Sequence, residues 1–308
     1  MKTAIVGYTG FVGQNLCLSQ QFDARYNSKN IIDAFGTKPD MLVYAGVRSE
    51  MFTANHFPEK DFEHIKDAIE NIKKIAPKRL VLISTISVYP NYEGDEKTAI
   101  DEKSKSAYGQ NRRFLERWVE ENHNDYLIVR LPALYGVGIK KNFIYDMIHY
   151  IPALLKVQKY EQLFKDSTLG RLYQNRGDGF YKCVAETKDE KSQLRKFFEK
   201  TGFSALNFTD SRSEYQYFNL AYLWGVIKTA LDNHINLLTI ATEPILTSEL
   251  YEYVYKKPFI NEVTPKFPIE HLRSIHAEVF GGVNGYLFDK AHLLNDIKSF
   301  INQQKSNV

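Results

Sequence analysis

Residues 2–20 read KTAIVGYTGFVGQNLCLSQ, and this stretch decides the fold. Lys2–Val6 is an apolar run of strand length, and Phe11–Gln20 has a helical pattern. Glycines stand at positions 7, 10 and 13, between the two runs and in the first turn of the second. In such a GxxGxxG turn, the first glycine permits a tight bend, the second lets the backbone approach a phosphate, and the third lets the helix pack on the strand. The sequence therefore predicts a dinucleotide-binding turn with the pyrophosphate at the helix N-terminus, although tight packing alone would also explain the glycines. The residues predicted to bind the cofactor here are Gly7, Thr9, Gly10, Phe11, Val12 and Gly13.

Strand and helix patterns alternate through the first half of the chain. The strands are predicted at Lys2–Val6, Phe22–Tyr26, Met41–Ala45, Arg79–Ser84 and Tyr126–Arg130, and the helices at Phe11–Gln20, Phe62–Ile75 and Tyr108–Asn122. The Arg79–Ser84 run is almost continuously apolar, as expected of a parallel strand covered on both faces. This alternation predicts an α/β fold with a Rossmann-type doubly wound parallel sheet and right-handed crossovers.

The pattern becomes less regular after about residue 140, which predicts a smaller mixed α/β lobe. Strand and helix signals resume at Tyr215–Leu220, Ala221–Asp232 and Asn236–Ala241. We therefore predict an NAD(P)-binding Rossmann domain over residues 1–140, to which about 205–242 return. The substrate-binding lobe is predicted over residues 141–205 and 243–308.

The second predicted strand is short, and the turn after it bears on the choice of cofactor. No acid that would bind an adenosine ribose is evident about 20 residues beyond the glycines. The turn reads Asn27-Ser28-Lys29-Asn30, and a polar, basic turn at this place favours NADP over NAD. A solvated loop would have the same composition. The short distance from this turn to Met41 indicates that one strand of the usual sheet is trimmed.

Two further stretches carry a family likeness. Residues 83–89, ISTISVY, and residues 108–116, YGQNRRFLE, resemble the SSxxVYG and YGxSKxxxE motifs of the extended short-chain dehydrogenases/reductases. The resemblance implies that Thr85 hydrogen-bonds the reacting carbonyl and that Tyr108 is the general acid/base. A free tyrosine titrates near 10, so it exchanges a proton near neutrality only beside a cation. The family has a lysine where this chain has Arg112, and arginine keeps its proton and is bulkier.

Weaker matches extend the likeness over about residues 1–255. Val129–Gly136 is similar to the family's lRp.nvYG segment, and Asn142-Phe143 to the NF of dTDP-4-dehydrorhamnose reductases. Tyr217–Leu220 and Leu237–Glu243 are similar to its C-terminal segments. The chain thus resembles the NAD-dependent epimerase/dehydratase family, and the reductases of dTDP-4-dehydrorhamnose in particular. Beside the glycine turn, the implied cofactor-binding residues are Asn27, Ser28, Ala45, Gly46, Ser84, Tyr108, Arg112 and Leu131, and the implied substrate-binding residues are Arg48, Thr85, Ser87, Asn142 and Phe143.

Departures from the family pattern narrow the expected chemistry. Sugar-nucleotide 4,6-dehydratases carry Asp-Glu directly after the threonine, where this chain has Ile86 and Ser87, so a dehydratase is disfavoured. The asparagine that many epimerases carry before the YG tyrosine is Ala133 here. The hypothesis is an NAD(P)-dependent oxidoreductase or epimerase of a nucleotide sugar. The alternative is a non-catalytic dinucleotide-binding sensor or scaffold protein, motivated by Arg112 and the missing ribose acid.

Composition excludes several other classes of protein. A net charge of +3 over 308 residues, without a dense Lys/Arg run, argues against a nucleic-acid partner. Cys17 and Cys183 lack CxxC spacing and the histidines lack paired spacing, so we expect no disulfide framework and no metal site. Without an apolar run of about 18 residues we expect no membrane span, and a cytoplasmic protein. The family often pairs through two helices, which here implies a homodimer through Phe62–Ile75 and Tyr108–Asn122.

Overall fold

The computed structural model describes residues 1–100 and 106–306. In this part of the chain the strands are β1 (Thr3–Val6), β2 (Ala24–Tyr26), β3 (Met41–Tyr44), β4 (Arg79–Thr85), β5 (Glu93–Gly94), β6 (Tyr126–Leu131), β7 (Ala133–Tyr135), β8 (Leu154–Lys156), β9 (Tyr173–Asn175), β10 (Phe180–Cys183), β11 (Glu214–Tyr215), β12 (Tyr217–Asn219), β13 (Leu237–Thr239), β14 (Ile245–Leu246) and β15 (His271–Leu272). The α-helices are α1 (Phe11–Ser19), α2 (Met51–His56), α3 (Pro58–Ile75), α4 (Ala107–Asn122), α5 (Phe143–Ile148), α6 (Val157–Phe164), α7 (Lys188–Thr201), α8 (Leu223–Asp232), α9 (Thr247–Tyr255) and α10 (Lys290–Ser306).

The main sheet is parallel and has the strand order β2-β1-β3-β4-β6-β13. Successive side chains of a strand point to opposite faces, and both faces of this sheet are covered. On one face Ile5 packs in a core with residues of α1 and α8. On the other face Ala4 and Val6 pack with residues of α3 and α4. The Rossmann-type doubly wound fold predicted from the sequence is confirmed.

The stretch between β2 and β3 is shortened, as the sequence predicted. A four-residue 3₁₀ helix, Ile31–Ala34, replaces the helix and strand that a longer crossover would carry. Strand β1 therefore pairs with β2 on one side and β3 on the other, with Val6 opposite both Tyr26 and Tyr44. The chain leaves β1 toward one side of the sheet and reaches β3 on the other, so the carboxyl ends of β1 and β3 form a topological switch point. Open α/β sheets bind ligands at such points.

The chain divides into two compact units. The first unit is Met1–Ile139, Glu214–Ile245 and Ile269–Leu293, and the rest forms the second. Residues 269–293 were expected in the smaller lobe, yet they pack in the first unit. His271 of β15 pairs with Glu93 of β5, and the Leu287 N–H donates to the Ala241 carbonyl at 2.8 Å. Such two-residue strands carry no periodicity that a sequence pattern could reveal.

The second unit has its own antiparallel sheet, of strand order β8-β10-β9. Its core is rich in aromatic side chains, with Phe164, Tyr173 and Phe198 all buried. Helix α7 begins with a capping box between Thr187 and Glu190, which satisfies two N–H groups of its first turn.

Two kinds of feature are absent from the described residues. No helix in residues 1–100 and 106–306 is long and apolar enough to cross a membrane. Over the same ranges, no group of three or more His, Cys, Asp or Glu side chains could hold a metal ion.

A buried polar network fixes α4 against the carboxyl ends of the central strands. Glu116 on α4 is fully buried and accepts from Arg130 Nε at 3.1 Å and from Arg130 Nη2 at 2.8 Å. Its carboxylate also accepts from the Ser84 hydroxyl at 2.5 Å. Arg130 in turn donates to the Tyr89 hydroxyl at 2.8 Å, which lies 2.8 Å from Thr239 Oγ1. The network thereby joins α4 to β4, β6 and β13.

We expect Glu116→Ala to lower the free energy of unfolding by about 3–5 kcal/mol, because it leaves the Arg130 guanidinium buried without its counter-charge. The matched control is Glu120→Ala, which removes a partly exposed partner of Arg113 on the same helix. That control should change stability by roughly 0–1 kcal/mol. Urea unfolding measures both values, and an equal effect of the two substitutions would contradict the assignment.

Candidate functional site

Steric constraints require glycine at two positions of the turn between β1 and α1. Gly7 has φ +90°, a conformation that glycine adopts without strain, and its N–H donates to the Tyr26 carbonyl at 2.7 Å. A Cβ on Gly7 would collide with the backbone of Ala45, and one on Gly13 would collide with the backbone of Gly7. The chain therefore needs glycine at both positions, one for the bend and one for close packing of α1 on β1.

Helix α1 presents its N-terminus at this turn. Gly10 is the N-cap residue and has no side chain with which to cap the helix. Thr9 and Gly10 are exposed, and Phe11 and Val12 are partly buried in the first turn. First-turn N–H groups without an intrahelical partner attract an anion. The steric cradle and the uncapped helix fit a dinucleotide pyrophosphate.

The end of β3 forms the opposite side of the switch point. The Ala45 N–H donates to the Val6 carbonyl at 2.9 Å, which brings this residue beside Gly7. Gly46 is exposed, and a Cβ there would lie 2.9 Å from Val6 Cγ1. The backbone at the ends of β1 and β3, with small or absent side chains, therefore forms both sides of the switch point.

The turn after β2 is closed by its own asparagines. The Asn27 N–H donates to Asn30 Oδ1 at 2.8 Å, and Asn27 Oδ1 accepts from the Lys29 N–H at 2.9 Å. The Asn27 side-chain oxygen is thus used to shape the turn. Ser28 and Lys29 are its exposed side chains.

Tyr108 lies at the start of α4, beside the end of β4. Ser106 caps the helix by accepting from the Gly109 N–H at 3.2 Å, and Asn55 Oδ1 accepts from the Tyr108 N–H at 3.0 Å. The Tyr108 side chain is buried, and the side chains of Arg112 and Thr85 lie close enough to its hydroxyl to lower the pKa of the phenol. Tyr108 and Thr85, predicted from separate motifs, therefore come together.

Thr85 also organises the turn that follows β4. Its Oγ1 accepts from the Ser87 N–H at 3.1 Å, capping the 3₁₀ helix Ile86–Val88, and it lies 3.3 Å from Ser87 Oγ. Ser87 is itself buried. A hydroxyl pair therefore adjoins the Tyr108 side chain.

Arg112 is held in a buried ion pair. It donates two hydrogen bonds to Asp61 on α3, Nη1 to Oδ2 at 2.6 Å and Nη2 to Oδ1 at 3.0 Å. Nη2 also donates to the Arg48 carbonyl at 2.5 Å, and Cζ lies 4.2 Å from the centre of the Tyr108 ring. The side chains are 5% and 7% exposed, so Asp61 offsets the charge of Arg112 inside the protein.

Burial and charge set the proton affinities of this cluster. Burial would raise the pKa of the Asp61 carboxyl, but hydrogen bonds from Arg112 and Asn111 outweigh it and hold the pKa below its usual value. Burial raises the pKa of the Tyr108 phenol; Arg112 opposes this rise and Asp61 adds to it. Tyr108 is therefore protonated at neutral pH.

Several predicted site residues have other partners. The Ser84 hydroxyl is directed to Glu116, and Leu131 is buried in the core. The side chain of Arg48 is exposed, while its carbonyl binds Arg112. In the second unit, Asn142 caps α5 by accepting from the Tyr145 N–H at 3.2 Å, and Phe143 is buried with its ring centre 5.3 Å from that of Phe259.

Sequence reasoning missed three residues around this site. Asp61 had a detectable signal, because it stands four residues before Ile65 on the buried face of α3, where an acid needs a partner. Asn15 is buried one turn into α1, donates to the Val137 carbonyl at 2.9 Å and accepts from its N–H at 3.0 Å. Asn55, the acceptor for Tyr108, lies on a short helix with no pattern to single it out.

Solved structures with the same fold include nucleotide-sugar enzymes. RMD from Pseudomonas aeruginosa, complexed with NADPH, has a TM-score of 0.64 at 12% identity, with 100% of both chains covered. A dTDP-4-dehydrorhamnose reductase from Bacillus anthracis, in complex with NADP, has a TM-score of 0.63 at 14% identity, with 98% of this chain and 99% of that one covered. A UDP-galactose 4-epimerase has a TM-score of 0.63 at 12% identity over the whole of both chains. At these identities the likeness establishes the fold alone.

The sequence itself matches a family model. The model of the NAD dependent epimerase/dehydratase family covers residues 3–176, which include the glycine turn, Thr85, Tyr108 and Arg112. No curated protein matches the sequence. The resemblance drawn from the motifs is confirmed, because the model covers more than half of the chain. This protein belongs to the NAD dependent epimerase/dehydratase family.

Proposed function

We propose that this protein is an NAD(P)-dependent reductase of a nucleotide sugar. The observation that carries the proposal is the meeting of Tyr108 and Thr85 at the carboxyl edge of the sheet that also holds the glycine turn. Tyr108 supplies an acidic proton and Thr85 a hydroxyl that can orient a carbonyl oxygen. Family membership supports a sugar nucleotide as the substrate.

The first unit would hold the dinucleotide. The N-terminus of α1 would bind the pyrophosphate, with Gly7, Gly10 and Gly13 providing the space. When bound, the reduced nicotinamide supplies a hydride to the carbonyl carbon. Ser28 and Lys29 favour NADP, since both are exposed in a turn that lacks an acid. Two of the similar solved structures contain NADPH or NADP.

Tyr108 acts as the general acid in this proposal. The carbonyl oxygen takes the Tyr108 proton as the carbon gains the hydride, and the phenolate then recovers a proton from solvent. Thr85 holds the oxygen during this transfer. An epimerase would use the same residues, with Tyr108 first accepting a proton and then returning it.

The second unit is proposed to bind the sugar nucleotide, with Asn142 and Phe143 of α5 among its contacts. Arg48 and Ser87 are proposed as substrate contacts from the first unit. These assignments rest on the family likeness.

We expect Tyr108→Phe to lower the rate of reduction by about 10²–10⁴-fold, because the substituted ring has no proton to give. Affinity for NADPH should stay within about twofold, since the ring is retained. Oxidation of NADPH by a panel of keto-sugar nucleotides measures the rate. Tyr126→Phe, which alters a tyrosine at the far end of β6, is the matched control. Unchanged turnover by Tyr108→Phe would overturn the catalytic assignment.

The turn after β2 provides a test of cofactor choice. We expect Ser28→Ala/Lys29→Ala to weaken NADPH binding by about tenfold, the loss of one charge-assisted hydrogen bond, and to leave NADH binding unchanged. Fluorescence titration of the purified protein measures both affinities, with Lys60→Ala as a control for lost surface charge. If NADPH and NADH binding weakened equally, the turn would have no role in selecting the 2′-phosphate.

A homodimer through α3 and α4 is also proposed. Phe62 and Phe114 from these helices meet edge to face at 5.0 Å, and Phe114 is 39% exposed. We expect Phe114→Glu to shift the sedimentation coefficient from dimer to monomer, because it places a charge on this apolar surface. Phe208→Glu, which alters an exposed phenylalanine of the second unit, should leave the dimer intact. A monomeric parent protein at micromolar concentration would contradict the proposal.

One observation favours a second candidate, a non-catalytic dinucleotide sensor or scaffold. Arg112 replaces the family lysine and is already bonded to Asp61 and to the Arg48 carbonyl. Saturable binding of NADPH without reduction of any keto-sugar nucleotide would support this candidate over the reductase.

A further inference from the structure

Arg112 contacts both Asp61 and the ring of Tyr108. We propose that Asp61 is a positioning residue that holds Arg112 against the Tyr108 ring and offsets its charge, so that Arg112 stabilises the Tyr108 phenolate only weakly. The inference rests on the proposed function and deepens it, because it names a residue that controls the proton affinity of the acid in that reaction. Reduction of a carbonyl requires Tyr108 in its protonated form.

The geometry fixes the guanidinium in one orientation. Both Asp61 oxygens accept from Arg112, and the Arg48 carbonyl accepts a further N–H. Asn111 strengthens the arrangement by donating to Asp61 Oδ2 at 2.8 Å. A planar guanidinium can bind a carboxylate in this forked manner and stack on a ring at the same time, which an ammonium group cannot. Arg112 and Asp61 therefore act as a unit, in which the carboxylate fixes the guanidinium against the Tyr108 ring.

Among residues 1–100 and 106–306, the charges beside Tyr108 come from two helices. Arg112 lies on its own helix and Asp61 on α3, and these opposite charges form a pair. The groups from β4 and α2 that reach Tyr108, Thr85 and Asn55, are neutral. A lone cation would stabilise the phenolate strongly, but a paired one does so weakly, and burial opposes the phenolate. The proton therefore stays on Tyr108 until a substrate oxygen accepts it.

Asp61→Asn tests the inference, because it removes the charge while keeping the shape of the side chain. Arg112 is then an uncompensated cation beside Tyr108, so the phenol should ionise about one pH unit lower than in the parent protein. Ultraviolet difference titration measures this ionisation when each protein is compared with its own Tyr108→Phe counterpart. The titration needs neither substrate nor turnover.

The rate of reduction gives a second readout. Tyr108 must be protonated to act as the acid, so the rate falls as the pH rises through its pKa. In Asp61→Asn this fall should come about one pH unit lower than in the parent protein. A purely structural role of Asp61 would lower the rate at every pH without moving the profile.

Two further variants keep the test decisive. Asp61→Asn/Arg112→Gln replaces the ion pair by two neutral amides, and its Tyr108 should ionise close to the parent value. Asp67→Asn removes an exposed acid from the same helix and should change nothing. An unchanged Tyr108 ionisation in Asp61→Asn would overturn the inference, as would a shift of equal size in the double variant. A shifted ionisation in a protein that reduces no sugar nucleotide would instead support the inference and refute the proposed function.

Discussion

Buried charge on helix α4 is the constraint on which the site depends. Three residues of this helix, Tyr108, Arg112 and Glu116, follow one another at intervals of four and face the interior. A charge without a partner is strongly unfavourable there, so Arg112 and Glu116 each require a counter-charge from another element. Asp61 supplies one from α3 and Arg130 the other from β6. These two pairs hold α4 in register with the strand ends, and the Tyr108 hydroxyl is placed as a result.

The second constraint is the close approach of two backbones at the switch point. Gly7 and Ala45 lie so near each other that no side chain fits on Gly7, and Gly13 is packed as tightly against Gly7. This leaves the N-terminus of α1 uncapped at the carboxyl edge of the sheet. The helix end proposed to bind the pyrophosphate and the side chain proposed to donate the proton thus share one edge, as the proposed reduction of a carbonyl group requires.

The sequence predicted the fold, because glycine spacing, apolar strands and helical periodicity are local signals, whereas the roles of Thr85 and Tyr108 came from the family resemblance and stay predictions. The sequence did not reveal the partner of Arg112, because a motif identifies a residue and not the side chains that contact it in the fold. Asp61 stood on the apolar stripe of α3 as a visible anomaly, but its partner lies 51 positions along the chain. Ser84 matched the cofactor-binding pattern, although its hydroxyl is taken by a buried carboxylate that only the packing of α4 brings near. Residues 269–293 were expected in the smaller lobe but lie in the first unit, because two-residue strands show no periodicity in the sequence.

The most direct test of the account is to follow the hydride. The protein would be incubated with a keto-sugar nucleotide and nicotinamide cofactor carrying deuterium at the transferable position, and the sugar product analysed by mass spectrometry. The account predicts a sugar alcohol heavier by one deuterium, located on the former carbonyl carbon, with one cofactor oxidised for each sugar reduced. An epimerised or unchanged sugar without deuterium would contradict it.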